Sequence, residues 1–148
     1  MRTSSVVFIL LALIVMCGFV PTASAQAPSN TQFGAAGTDA ARVQAFLATL
    51  RDALAMENHL KVASLVKYPL EAWADGQTHT IRNDSDLLAH FRQIFDPSLR
   101  RSIVEARVES LAVSADGVAL DGGRLCFKAG EKGRALKIVK IGEPVTTR

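Results

Sequence analysis

Of the acidic residues, the histidines and the one tyrosine in this sequence, three are the candidates for a general acid or base: Glu109, His79 and Tyr68. Glu109 alternates with Leu111 and Val113, a period typical of a strand with one buried face. If that face is enclosed, Glu109 is a buried carboxylic acid of the kind that catalysis uses. The alternative is an ion pair with a lysine or arginine at the open end of a sheet. These three residues are the candidate catalytic residues.

Other chemical signatures are missing from the sequence. The three histidines are scattered, and there is no His-x-His, HExxH or Cys-x-x-Cys spacing for a metal ion. The Gly-x-Ser-x-Gly nucleophile motif and a glycine-rich phosphate loop are also absent. We therefore expect neither a metal nor a cofactor.

Tyr68 and Trp73 are the only tyrosine and tryptophan, and each combines a broad apolar surface with one polar atom. With His79 and Phe127 they are the candidate ligand-binding residues, suited to a small apolar molecule or a segment of a partner protein. The alternative is that Tyr68 and Trp73 only pack helices against a sheet. Basic residues cluster between positions 124 and 140, but Phe127 is the one aromatic residue near them, so we expect no nucleic-acid partner.

The first 25 residues have the form of a cleaved signal peptide. Arg2 precedes an uncharged apolar run from Val6 to Val20, and Thr22 to Ala25 supply the small residues that signal peptidase reads. We expect a secreted or periplasmic protein without a stable membrane anchor; the alternatives are an uncleaved anchor and a lipid on Cys17. Cys126 is then the single thiol of the mature chain, so no internal disulfide stabilises it.

The mature chain is expected to form a single domain. Residues 26–37 are small, polar and glycine-rich, which is typical of a flexible linker. The domain then covers residues 38–143, and residues 144–148 form a polar tail.

Apolar residues at helical spacing predict three main helices ahead of the sheet. The first is capped by Thr38, the second runs from about Asn58 and is stopped by Pro69, and the third begins near Asn83 and ends at Phe95. Asp96 and Pro97 then begin a short further helix.

Asp75-Gly76 predicts a two-residue hairpin between the second and third helices. Its expected register pairs Leu70 with Ile81 and Ala72 with His79 on one face. Further strands are expected at about 106–114, 117–127 and 135–142, the second of them kinked at Gly122-Gly123. The sequence therefore predicts an α+β fold in which N-terminal helices pack on a curved antiparallel sheet and leave a hollow between the two layers.

Several of these segments are similar to a known family: Leu65 to Leu70, Asp75 to Ile81, Phe91 to Phe95, Gly117 to Phe127, and Leu136 to Val139. In these segments the chain resembles the nuclear transport factor 2-like superfamily, also called the cystatin-like cone. Within that superfamily it resembles a group of small exported bacterial proteins. The resemblance implies a pocket between the helices and the concave sheet face, in which enzymes such as scytalone dehydratase, limonene-epoxide hydrolase and ketosteroid isomerase use Asp, His or Tyr. Cys126 stands where the exported group tends to carry a tryptophan.

The expected function is that of an exported, non-enzymatic binding domain for a small apolar ligand or a partner's segment, with a homodimer formed through the exposed sheet face. One alternative is a cofactor-free lyase, isomerase or hydrolase that uses Glu109, His79 or Tyr68. The other is a structural or inhibitory module that binds proteins.

Overall fold

The computed structural model describes residues 32–131 and 134–144. The predicted signal peptide, residues 26–31 of the predicted linker and the tail beyond Pro144 lie outside the described residues.

Helix α1 spans Ala40–Ala55, and helix α2 spans His59–Ser64. The prediction that Thr38 caps α1 is wrong. The cap is Asp39, whose carboxylate accepts a hydrogen bond from the backbone N–H of Arg42 at 2.9 Å. Asn58 separates the two helices as predicted and caps α2 through its side-chain oxygen.

Strands β1 (Val66–Ala74) and β2 (Gln77–Ile81) form the predicted hairpin. Asp75 and Gly76 both have a positive φ, as a tight two-residue turn requires. The predicted register is confirmed throughout: Leu70 opposite Ile81, Glu71 opposite Thr80, Ala72 opposite His79, Trp73 opposite Thr78, and Ala74 opposite Gln77.

The second helix is shorter than predicted, since Val66 already belongs to β1. Val66 pairs with Ile138 of a distant strand, and this tertiary pairing outweighs the local helical pattern. Pro69 lies within β1, where its peptide bond to Tyr68 is cis.

The predicted third helix is divided at His90 into α3 (Asp84–Ala89) and α4 (Phe91–Ile94). Helix α5 (Pro97–Glu105) begins as the sequence predicts. Asp96 accepts a hydrogen bond from the N–H of Leu99 at 2.8 Å, and Pro97 occupies the first helical position.

The remaining strands are β3 (Ala112–Ser114), β4 (Gly117–Leu120), β5 (Leu125–Gly130) and β6 (Arg134–Ile141). The sheet order is β2-β1-β6-β5-β4-β3. Neighbouring strands are antiparallel except β1 and β6, so the predicted antiparallel sheet is corrected to a mixed one. A parallel pair needs a long crossover, and the chain from β2 to β5 provides it. The described chain is thus an α+β fold with five helices and an open six-stranded sheet.

Two predicted strands are interrupted by short 3-10 turns. The segment predicted to begin a strand at 106 instead forms a turn at Val108–Ser110. Arg51 of α1 donates hydrogen bonds to the carbonyl groups of Ile103 and Ala106, which ties this segment to the helices. A second turn at Asp121–Gly123 separates β4 from β5, because the positive φ of the glycines there ends the ladder.

The inner face of the sheet, which packs on the helices, is filled with apolar side chains. Alternate residues of the hairpin, including Leu70, Ala72 and Ile81, are buried there. Phe127 of β5 is fully buried, and its ring centroid lies 4.8 Å from that of Phe46 in α1. Core side chains therefore occupy the position between α1 and β5 where the sequence predicted a hollow.

Phe33 belongs to this core, although it lies in the predicted linker. Its side chain is 0 % exposed. Residues Gly34–Ala36 form a 3-10 turn that contacts β3 and β4, and Gln32 donates a hydrogen bond to the carbonyl of Leu111 at 3.4 Å. The prediction of a flexible linker is wrong for residues 33–37, because a buried aromatic ring docks them on the domain.

Candidate functional site

Glu109 and His79 lie at opposite edges of the sheet. Glu109 is exposed in the turn that precedes β3, and His79 lies in β2, the other edge strand. Five strand spacings of about 4.8 Å place the two edges roughly 24 Å apart, whereas an acid and a base must both reach the same substrate by hydrogen bonds. The predicted strand position of Glu109 is therefore wrong, and the structure does not bring these two candidates together.

His79 instead contacts His90, with 6.0 Å between the ring centroids. One nitrogen of His79 lies 3.2 Å from the carbonyl oxygen of Ala74, and one nitrogen of His90 lies 3.0 Å from that of Asp86. No spacing in the sequence indicates this pair, because the hairpin and the break between α3 and α4 bring the two rings together. Within residues 32–131 and 134–144, no group of three or more His, Cys, Asp or Glu side chains is arranged to hold a metal ion.

Tyr68 is half-buried against the core, and its hydroxyl donates a hydrogen bond to the carbonyl of Ala63 at 3.3 Å. Burial, and secondly the negative charge of Asp84, raise the pKa of Tyr68 to about 12. The phenol is therefore protonated at neutral pH. It serves as a hydrogen-bond donor to the backbone, which is not the state of a general base.

The alkaline titration of Tyr68 tests this environment. The chain has one tyrosine, so phenolate absorbance reports that residue alone. We expect a midpoint at about 12 in the folded protein and at about 10 in urea. Because the pKa of Tyr68 is higher in the folded than in the unfolded protein, its contribution to the free energy of unfolding is fully present below pH ~10. That contribution is lost as the pH rises through the folded pKa. A midpoint near the ordinary value in the folded protein would contradict the burial of the hydroxyl.

Trp73 and Phe127 lie on opposite faces of the sheet. Trp73 alternates with the buried residues of β1 and is half-buried on the outer face, the face turned away from the helices. Phe127 is enclosed in the core behind Phe46. The four predicted ligand-binding residues thus do not line one pocket, although Phe127 packs against Phe46, which lines a cavity.

That cavity is a groove of about 400 Å³ between α1 and the start of β6. We call it the α1 groove; its lining is Arg42, Ala45, Phe46, Thr49, Leu65, Ala135 and Leu136. The sequence pattern placed Phe46 and Leu65 only among core residues. Because the groove forms where a helix, a strand and a loop meet, no local sequence motif predicts it.

The polar groups of the α1 groove are already engaged. Arg42 forms an ion pair with Asp39 at 3.6 Å, and the Thr49 hydroxyl donates to the carbonyl of Ala45 at 2.9 Å. The rest of the lining is apolar, and the Phe46 ring in it packs against Phe127 in a tilted arrangement, with 31° between the ring planes. Such a groove favours the contact of apolar groups and offers no acid or base to a substrate.

A second cavity, of about 930 Å³, lies beside the outer face of the sheet. Lys67, Lys128 and Lys137 line it together with small residues, and it holds part of the basic cluster that the sequence contains. Lys137 donates a hydrogen bond to the carbonyl of Ser64. Besides the lysines, its lining includes the acidic residue Glu131.

Arg124 does not belong to this basic surface, although the sequence groups it there. It is 3 % exposed and donates to Asp96 at 2.6 Å and to Ser98 at 2.8 Å. These bonds connect the start of β5 to the first turn of α5. The sequence offered no signal for this role, because the two partners are 28 residues apart.

Comparison with protein-family models, with curated proteins and with solved structures found no match for this chain. Among the helices that the structure describes, none has both the length and the apolar character needed to cross a membrane.

Proposed function

We propose that this chain is an exported, non-enzymatic binding domain of the nuclear transport factor 2-like fold, which holds a small apolar ligand in the α1 groove. Three features support the proposed fold. The order of elements is two helices, a hairpin, three short helices and a meander, the helices cover one face of the sheet, and a turn at Asp121–Gly123 interrupts the last strands.

One observation carries the proposed function: the apolar groove above the Phe46–Phe127 ring pair. Its volume of about 400 Å³ suits a small molecule. Phe46 and Leu136 are almost completely buried by their own domain, so a ligand contacts a floor that is already formed. Binding therefore requires little further loss of side-chain conformational entropy.

Binding is favoured over catalysis because the acid–base candidates are dispersed. Glu109 and His79 are at opposite edges of the sheet, and the Tyr68 hydroxyl is bonded to the backbone. A protein partner on the outer sheet face, including a second copy of the chain, remains a prediction that sedimentation at several concentrations checks.

Filling the α1 groove tests the proposal. Ala45 is an exposed α1 residue in the groove lining, so Ala45→Trp places a large ring there without disturbing the core. With the neutral apolar dye Nile red as the probe, we expect A45W to bind at least about tenfold more weakly than the unaltered protein, because the ring excludes the dye.

Ala48→Trp is the matched control, because Ala48 is exposed on the same helix and lies outside the groove lining. We expect A48W to bind the dye as tightly as the unaltered protein does. At 100 times its Kd, the dye should stabilise A48W and the unaltered protein by about 2.7 kcal/mol each. Equal dye binding by A45W and the unaltered protein contradicts the proposed site.

A further inference from the structure

A third cavity, of about 340 Å³, lies among the helices, away from the α1 groove. We call it the arginine groove. Its lining comes from the α1–α2 turn, the start of α2, α4 and the residue after it, and the beginning of α5: Glu57, His59, Arg92, Phe95, Pro97 and Arg100. It combines cationic side chains with an apolar floor, a combination that the α1 groove lacks.

The ring of Phe91 positions two of the polar side chains. The His59 ring stacks on it with 4.0 Å between centroids, and the Arg100 guanidinium carbon lies 5.7 Å from its centroid. The Nε of Arg100 also donates to the carbonyl of Phe95 at 2.8 Å. This fixed side chain keeps its terminal nitrogens available, because in the part of the chain that the structure describes they make no hydrogen bond or ion pair.

Arg92 supplies a second guanidinium at the opening of the groove. Among the described residues nothing accepts a hydrogen bond from it. Glu57 is the single acidic residue of the lining. Both carboxylate oxygens of Asp96, next to Pro97, already have partners: one caps α5 and the other binds Arg124. The arginine groove therefore has an excess of positive charge.

We propose that the arginine groove binds a carboxylate carried on an apolar body. Guanidinium groups match the planar geometry of a carboxylate and can bind both of its oxygens. Phe95 and Pro97 provide the apolar contact below. Met56 (78 % exposed) and Leu60 (68 %), which adjoin Glu57 and His59 in the sequence, are exposed large apolar side chains outside the groove lining.

A ligand series tests the chemistry without knowledge of the natural ligand. Phenylacetate, phenylacetamide and acetate are titrated into the full mature protein, and amide shifts are followed by NMR. We expect phenylacetate to bind with a Kd on the order of 1 mM, and the neutral amide and the small acetate to bind at least about tenfold more weakly. The shifted amides should lie around Phe95 and Arg100. Equal binding of phenylacetate and phenylacetamide overturns the proposal.

Matched variants localise the binding. Arg92→Gln is expected to weaken phenylacetate binding about tenfold, and Glu57→Gln to strengthen it about threefold, because a repelling charge is removed. Arg101→Gln removes the same charge from an exposed position of α5 outside the groove lining and is expected to change nothing. Both arginine variants are at exposed positions, so the fold is retained. If R101Q weakens binding as much as R92Q, the site is elsewhere and the proposal fails.

A peptide distinguishes the two sources of such a carboxylate. Acetyl-Ala-Phe-Leu with a free carboxyl terminus is compared with the same peptide as its amide. Tighter binding of the peptide acid than of phenylacetate assigns the arginine groove to the chain end of a partner protein. Binding of phenylacetate alone assigns it to free organic acids, and no binding of either overturns the proposal. Nile red binding in the α1 groove is independent of all these results, so the two proposed sites succeed or fail separately.

Discussion

Replacing Asp96 with alanine is expected to destabilise the protein by about 3 to 5 kcal/mol. Asp96 is the partner of Arg124, which is 3 % exposed and whose Nε has no hydrogen-bond partner among the described residues. The substitution leaves this buried guanidinium with the Ser98 hydroxyl as its remaining side-chain partner. It also removes the N-cap of α5. Urea denaturation followed by circular dichroism measures the loss.

Asp39 provides a matched control for Asp96. It also caps a helix and pairs with an arginine, Arg42, but both side chains of that pair are about half exposed, at 42 % and 55 %. Asp39→Ala should therefore cost about 1 kcal/mol, the value of a cap alone. If the two substitutions cost the same, the burial of Arg124 has no energetic consequence and our account of this ion pair is wrong.

Replacing Phe33 with alanine is expected to cost about 3 to 5 kcal/mol, the range for removing a fully buried phenylalanine ring. The cavity left behind opens under β3 and β4, where the segment from Gly34 to Ala36 is docked. We also expect faster proteolysis of the chain near residue 33, because the segment loses its main apolar contact. Denaturation and limited proteolysis of the same samples measure both effects.

Phe127→Ala is the reference for this experiment, since Phe127 is a central core residue with the same 0 % exposure. Comparable losses from F33A and F127A show that the domain begins ahead of residue 38. A loss below about 0.5 kcal/mol for F33A, typical of a surface substitution, would restore the interpretation of this segment as a linker.

The two proposed binding sites make different demands on the same scaffold. The α1 groove uses apolar side chains that complete the core, so a large substitution in its floor costs stability as well as binding. The arginine groove uses Arg92 at the surface, where a substitution changes binding alone. The exposed positions Ala45 and Arg92 are therefore the useful ones for separating function from folding.

Interactions between neighbouring residues were sufficient to predict the hairpin and the beginning of α5. Asp75-Gly76 fits a turn in which both central residues have positive φ, and that turn fixes the register of every residue pair in β1 and β2. Asp96-Pro97 combines a cap with a residue whose φ is already helical. In both cases the deciding interactions join residues a few positions apart, so they can be read from the chain directly.

The sequence alone determined the α+β class, the hairpin register and the apolar faces of the main helices. Only the tertiary structure decided that β1 pairs in parallel with β6, that Phe33 enters the core, that Arg124 is buried against Asp96, and that Glu109 lies far from His79. Both grooves likewise assemble from segments distant in the chain. The physical reason is that turns and caps depend on neighbours, whereas burial and pairing depend on which remote surfaces meet when the chain folds.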